Sequence, residues 1–209
     1  IVRPEYRRRG FGLRLWNAGL ARLEGRTVGL DGVVAQQDNY TKSGFKLAYR
    51  SIRYQGTGGG PCPTTAALIP LSGISFEELC AYDRPFFPDN RVEFLKTWIH
   101  QPQSTALGIR RNGELAGYGV LRRCRSGYKV GPLFADTPEF AEILFLALKA
   151  QAADGAPVFL DTPAVNASAI ALANRHQMTA TFETARMYRG PSPELPMDRL
   201  FGVTTFELG

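Results

Sequence analysis

The sequence predicts an α/β fold organised as a mixed sheet, and three observations carry that prediction. Short strand-like runs alternate with helical runs along the chain. A turn rich in glycine and arginine at the start feeds directly into a helix. A stretch at 55–65 rich in glycine and proline interrupts the pattern, and a longer series of strands and helices then begins.

The elements follow in order. The opening segment runs Ile1-Val2-Arg3-Pro4-Glu5-Tyr6-Arg7-Arg8-Arg9-Gly10-Phe11-Gly12-Leu13. Gly10 and Gly12 let a ligand approach the peptide N–H groups. The helix that follows adds unpaired N–H groups and its positive dipole end. Residues 13–24 are amphipathic, with Leu13, Trp16, Leu20 and Leu23 at helical spacing and Gly25 as a stop. A strand is expected at 27–31, a short helix at 34–43 ended by Gly44, and a half-buried strand at 45–54. Residues 55–65 read as a linker, and no Gly-Lys-Ser/Thr follows to make them a nucleotide loop.

Beyond the linker, residues 66–71 read as a strand, and Ser75-Phe76-Glu77-Glu78 as a capping box opening a helix. A second helix is expected near 91–99. Strands follow at 105–110, 114–123 and 128–134, the first two joined by a tight turn at Asn112-Gly113. Thr137-Pro138 opens a helix to about 152. A strand at 157–161, a helix at 166–176 and strands at 179–188 and 200–208 complete the chain.

Composition narrows the function. The 209 residues are 44% hydrophobic and 21% charged, which suits packed domains and not a disordered chain. Cys62, Cys80 and Cys124 are odd in number and unpaired in spacing, which points to a reducing, cytoplasmic setting. No run approaches the roughly 18 apolar residues of a membrane span. Arg7-Arg8-Arg9 is followed by no apolar segment, so it is not an export signal. The net charge is +6, and residues 1–53 hold eleven Lys and Arg against four Asp and Glu. A small polyanion fits that field. Nucleic acid is disfavoured, because no aromatic-interleaved basic repeat accompanies it.

Arg7, Gly10 and Gly12 stand in the spacing Arg-x-x-Gly-x-Gly, and Tyr40-Thr41-Lys42-Ser43-Gly44-Phe45 has the form Tyr-x-x-x-Gly-Phe. In both respects the chain resembles the GNAT family of acetyl-CoA-dependent N-acetyltransferases. The resemblance implies a GNAT fold, with acetyl-CoA as co-substrate, an amine acceptor and no metal. It places the coenzyme pyrophosphate against Val2, Arg7, Arg8, Arg9, Gly10, Phe11, Gly12 and Leu13. It makes Tyr40 the acid that protonates the leaving thiolate. The order of elements implies a tandem protein. Residues 1–54 would be the C-terminal half of a coenzyme-binding domain, 55–65 a linker, and 66–209 a complete but degenerate second copy. A GNAT domain carries about three further strands before its phosphate loop, including the one that splays to admit the pantetheine arm, and where these come from, another chain included, is left open.

Two departures accompany the resemblance. Many family members carry asparagine where Val33 stands, and Gln36, Gln37 and Asn39 remain open as substitutes. In the second copy Asn166 corresponds to Val33, and Ala173 to Tyr40. The loop there carries Asp136 and Glu139 in place of glycine and arginine, so this copy is expected not to bind acetyl-CoA. A non-catalytic acyl-CoA-binding scaffold is the alternative reading, and oligomeric state is left open. His100 and His176 lack the spacing for a hydrolase triad or a metal site. Asp83, Arg84, Asp89 and Arg91 read as caps and loop ion pairs.

Overall fold

The computed structural model describes residues 2–65 and 67–207 of the chain. Its elements are α1 (Phe11–Arg22), β1 (Val28–Val33), α2 (Gln37–Lys42), β2 (Lys46–Thr57), β3 (Leu68–Pro70), α3 (Phe76–Asp83), α4 (Val92–Trp98), β4 (Ser104–Arg111), β5 (Glu114–Arg123), β6 (Tyr128–Ala135), α5 (Pro138–Lys149), β7 (Pro157–Pro163), α6 (Ala167–Arg175), β8 (Thr179–Arg189) and β9 (Leu200–Gly202). No helix among the described residues is long and apolar enough to cross a membrane.

Local chemistry explains most boundaries. Ser75 Oγ accepts from the Glu78 N–H at 3.1 Å, capping α3. The reciprocal half of the expected box is not made, because the Glu78 carboxylate turns to Arg110 and to the Leu115 N–H. Thr137 caps α5 with Pro138 in its first turn. Arg111 pairs with Glu114 across a two-residue turn in which Asn112 and Gly113 have φ of 53° and 88°, the signs a primed turn requires.

One sheet runs in the order β1-β8-β2-β7-β6-β5-β4-β3, with β9 attached to β6. Among the described residues only β6 and β7 are parallel. The order interleaves the two ends of the sequence: β8 lies between β1 and β2, and β2 lies between β8 and β7. Two large apolar clusters sandwich the middle of the sheet. Leu144, Phe145, Leu148 and Leu172 pack with Leu133 and Leu160; Leu79, Leu95 and Phe86 pack with Tyr118 and Phe134.

Four expectations change. The strand read as ending at 54 continues through Thr57, because Gln55, Gly56 and Thr57 pair with Phe159, Val158 and Pro157. The first glycines of the supposed linker are pinned as well. Gly58 and Gly59 donate to the carbonyls of Ala156 and Lys149, and a Cβ on Gly59 would lie 1.8 Å from Asp154. The strand read over 66–71 is confined to Leu68–Pro70, with residue 66 outside the described residues.

The strand read over 200–208 is only Leu200–Gly202, and residue 208 lies outside the described residues. The reason is steric. β6 and β7 pair only from Tyr128↔Val158 to Val130↔Leu160 and then part. β9 enters the gap against Leu133 and Phe134, and the Val203 N–H reaches the Asp161 carbonyl at 2.8 Å. Gly131 allows this approach; a Cβ there would lie 2.6 Å from the Thr204 oxygen.

Candidate active site

The glycine turn opens α1. Gly10 is its N-cap in the left-handed region at φ 76°, and Arg8 is also left-handed at φ 61°. Helix bonding begins with the Arg14 N–H on the Gly10 carbonyl at 3.0 Å. The N–H groups of Arg8 through Leu13 have no protein acceptor among the described residues. Val2 packs on the open side of Gly12, where a Cβ would be 3.3 Å from Val2 Cγ2. Arg7 Nε donates to the Val2 carbonyl at 3.2 Å, and the Arg9 guanidinium lies over the Tyr6 and Phe11 rings at 5.8 and 5.0 Å. Those two arginines shape the turn, while Arg3, Arg8 and Arg14 point to solvent beside it. The arrangement can take an anionic group by backbone donors at a dipole end.

Tyr40 sits in the last turn of α2. The motif around it is a helix stop: the Phe45 N–H bonds the Tyr40 carbonyl at 3.2 Å and the Gly44 N–H the Thr41 carbonyl at 2.9 Å, with Gly44 at φ 86°. Phe45, 1% exposed, then drops into a cluster with Ala185, Met187, Trp16 and Leu20. The Tyr40 ring covers Gly32 of β1. Its centroid is 5.6 Å from that of Trp16, whose Nε1 donates to Ser43 Oγ at 2.9 Å. The ring is thus held between Gly32 and Trp16, and its hydroxyl has no hydrogen-bond partner among the described residues.

The open question at position 33 narrows. Val33 is 40% exposed at the end of β1. Asn39 Nδ2 donates to Gln36 Oε1 at 2.7 Å, so these two amides satisfy each other. Gln37 differs: its Nε2 is buried and has no partner among the described residues. β1 pairs with β8 alone among the described residues, which leaves its other edge open beside Tyr40.

The corresponding region of the later stretch is closed. Asp136 accepts from Tyr82 at 2.9 Å and from Arg199 at 2.5 Å. Asn166 caps α6 and donates to the Leu200 carbonyl at 2.9 Å, so it holds β9 in place. Ala173 is fully buried.

One pair went unnoticed in the sequence. Asp31 of β1 lies directly opposite Arg186 of β8, and the two are ion-paired with side chains 4% and 10% exposed. Burial pushes the Asp31 carboxyl above its ordinary value, against the opposing pull of Arg186. The residues are 155 positions apart, and no spacing rule joins them.

Comparison with known proteins agrees with this architecture. Residues 79–202 match the family model of the acetyltransferase (GNAT) domain. Holothin acyltransferase from Pseudoalteromonas sp. (strain SANK 73390) is 28% identical over 209 residues, which are 100% of this chain and 71% of that protein. The chain spans 50% and 60% of the lengths of two further curated relatives. A provisionally assigned acetyltransferase from Pyrococcus horikoshii superposes with a TM-score of 0.83 at 24% identity, over 100% of this chain and 69% of its own. A tandem GNAT protein from the clavulanic acid biosynthesis pathway superposes with a TM-score of 0.62 at 15% identity, over 92% and 74%. The family model covers more than half of the sequence, and the chain belongs to the GNAT acetyltransferase family.

Proposed function

We propose that the protein transfers an acetyl group from acetyl-CoA to an amine. The observation that supports this most is the physical link between the glycine turn and Tyr40: α1 presents the unpaired N–H groups of Arg8 to Leu13, and its Trp16 packs on the phenol. In this reading those N–H groups bind the pyrophosphate, and Arg8 and Arg14 screen its charge. The amine attacks the thioester carbonyl, and the Tyr40 hydroxyl protonates the departing sulfur. We take residues 1–54 and 66–209 as parts of two GNAT copies, with the coenzyme on the first. In the second, β9 fills the gap between parallel β6 and β7, and Asn166 and Asp136 are engaged within the protein. We place the protein in a reducing, cytoplasmic setting on its cysteines.

The test is a calorimetric titration with acetyl-CoA, with Gly10→Glu as control. Micromolar binding, about −8 kcal/mol, that the variant loses supports the assignment. Equal binding by both removes the turn from the site. Binding without turnover on any amine would favour a non-catalytic acyl-CoA scaffold.

A further inference from the structure

Successive residues of a strand point to opposite faces of the sheet. Gly32 lies beneath Tyr40, so Asp31 points the other way. On that side is a cleft of about 870 Å³, adjoining a pocket of about 430 Å³ with which it shares Gly29, Leu30, Phe206 and Glu207. Asp31 and Thr184 line the smaller pocket. The floor comes from β1 and β8, and most of the wall from the later stretch: Phe87, Pro88, Tyr188, Glu194 and Phe206.

This floor is polar and incompletely satisfied. Thr184, 2% exposed, has a buried Oγ1 without a partner among the described residues, as does the Oγ of Ser51, which pairs with it across β2 and β8. Unpartnered hydroxyls in such a place are costly unless something else bonds them. The nearby cations are largely committed. Arg186 holds Asp31, Arg53 holds Asp161, and Arg84 donates to the Phe87 carbonyl at 2.8 Å. Arg186 engages one Asp31 oxygen and leaves the other free of hydrogen bonds among the described residues.

We propose that this cleft binds the acceptor, that the acceptor is a small monoamine with an aromatic or aliphatic body, and that Asp31 receives its ammonium proton. This rests on the acetyl-transfer reading. The aromatic and proline walls contact the body, and the cleft volume falls in the range of small-molecule sites. The amine arrives as an ammonium ion, and the Asp31 carboxylate takes one proton. The freed lone pair forms the N–C bond as the carbonyl pair moves to oxygen. That pair returns, the C–S bond breaks, and sulfur leaves with its electrons and the Tyr40 proton. The nitrogen loses a second proton, which restores Tyr40 through solvent, and Asp31 releases the first to bulk. Acid and base thus act from opposite faces of β1. The groups facing Asp31 are Arg186 and Tyr188 on β8, Tyr49 on β2, Asp161 on β7 and Glu207. A base raised by burial is better matched to neutral pH.

The test combines acetyl-CoA titration with initial rates on phenethylamine, spermidine and glucosamine. Asp31→Asn is expected to keep acetyl-CoA affinity within twofold, to lower kcat/KM for phenethylamine about 100-fold, and to abolish the acid limb of the pH profile. Glu194→Trp, on an exposed loop, is expected to raise the phenethylamine KM at least tenfold with acetyl-CoA affinity intact. It carries the test if Asp31→Asn fails to fold. The proposal is overturned if the wild type is active and both variants stay within twofold of it, or if spermidine or glucosamine is preferred. If the wild type neither binds acetyl-CoA nor acetylates any amine, the acetyl-transfer reading fails first and this one with it.

Discussion

Trp16 and Tyr40 lie with ring centroids 5.6 Å apart, inclined at 41°. The contact couples the helix behind the glycine turn to the helix that carries the phenol. A shift of α1 therefore reaches the proposed acid directly.

Tyr40→Phe keeps the ring on Gly32 and Trp16 and removes only an unpartnered hydroxyl. Turnover should fall about 100-fold, while thermal stability changes by under about 0.5 kcal/mol. Steady-state kinetics and a melting curve measure both. Unchanged turnover would remove Tyr40 from the chemistry.

Gly10 has open space around it but a left-handed backbone. Gly10→Asn, which tolerates that conformation, should retain acetyl-CoA binding, whereas Gly10→Glu should lose it by electrostatic repulsion. Calorimetry on the two variants separates backbone shape from charge. Equal loss in both would show that the glycine is needed for more than its sign of φ.

Gln37→Ala should weaken acetyl-CoA binding severalfold, because its buried amide has no other partner among the described residues. Gln36→Ala should do less, since that side chain is spent on Asn39. Titration of both variants decides it, and the reverse order would discard Gln37 as a coenzyme contact.

Asp161 is fully buried between Arg53, whose Nε and Nη2 are each 2.7 Å away, and Lys129. Asp161→Asn leaves two cations without a counter-charge and should cost about 3–5 kcal/mol. Glu183→Gln, which breaks the exposed pair with Arg50, should cost under about 1 kcal/mol. Urea unfolding midpoints compare them, and similar losses would contradict the buried-charge account.

The Glu207 carboxyl is held below its ordinary 4.5, first by the Thr205 hydroxyl and further by Lys129 and Arg53. Its contribution to stability is complete above that ordinary value and is lost as pH falls through the lowered one. Glu207→Gln should therefore reduce stability at pH 7 and match the wild type at strongly acidic pH. A constant difference across the range would show that no linkage operates there.

What the sequence disclosed was local. The stop at Gly44-Phe45, the Asn112-Gly113 turn and the caps at Ser75 and Thr137 depend on residues within a few positions, and each formed where expected. The glycines of 55–65 misled for a physical reason. Glycine composition signals freedom, yet Gly58 and Gly59 are needed because two backbones meet there. The Asp31–Arg186 pair, the entry of β9 beside β6 and the placing of β2 between β7 and β8 arise from pairings across long separations, which leave no period to read. The glycine turn and Tyr40 were visible as motifs; the cleft on the other face of β1 was not, because its walls come from four distant segments.

The interleaved order β1-β8-β2-β7 has a consequence for how such a chain can change over time. A change that removes strands from one stretch removes strand partners from the other. Loss of β8 would unzip β1 from β2 at once, and loss of β2 would separate β8 from β7. Each stretch is thus a structural hostage of the other, and a gene cut between them yields two fragments with torn sheets.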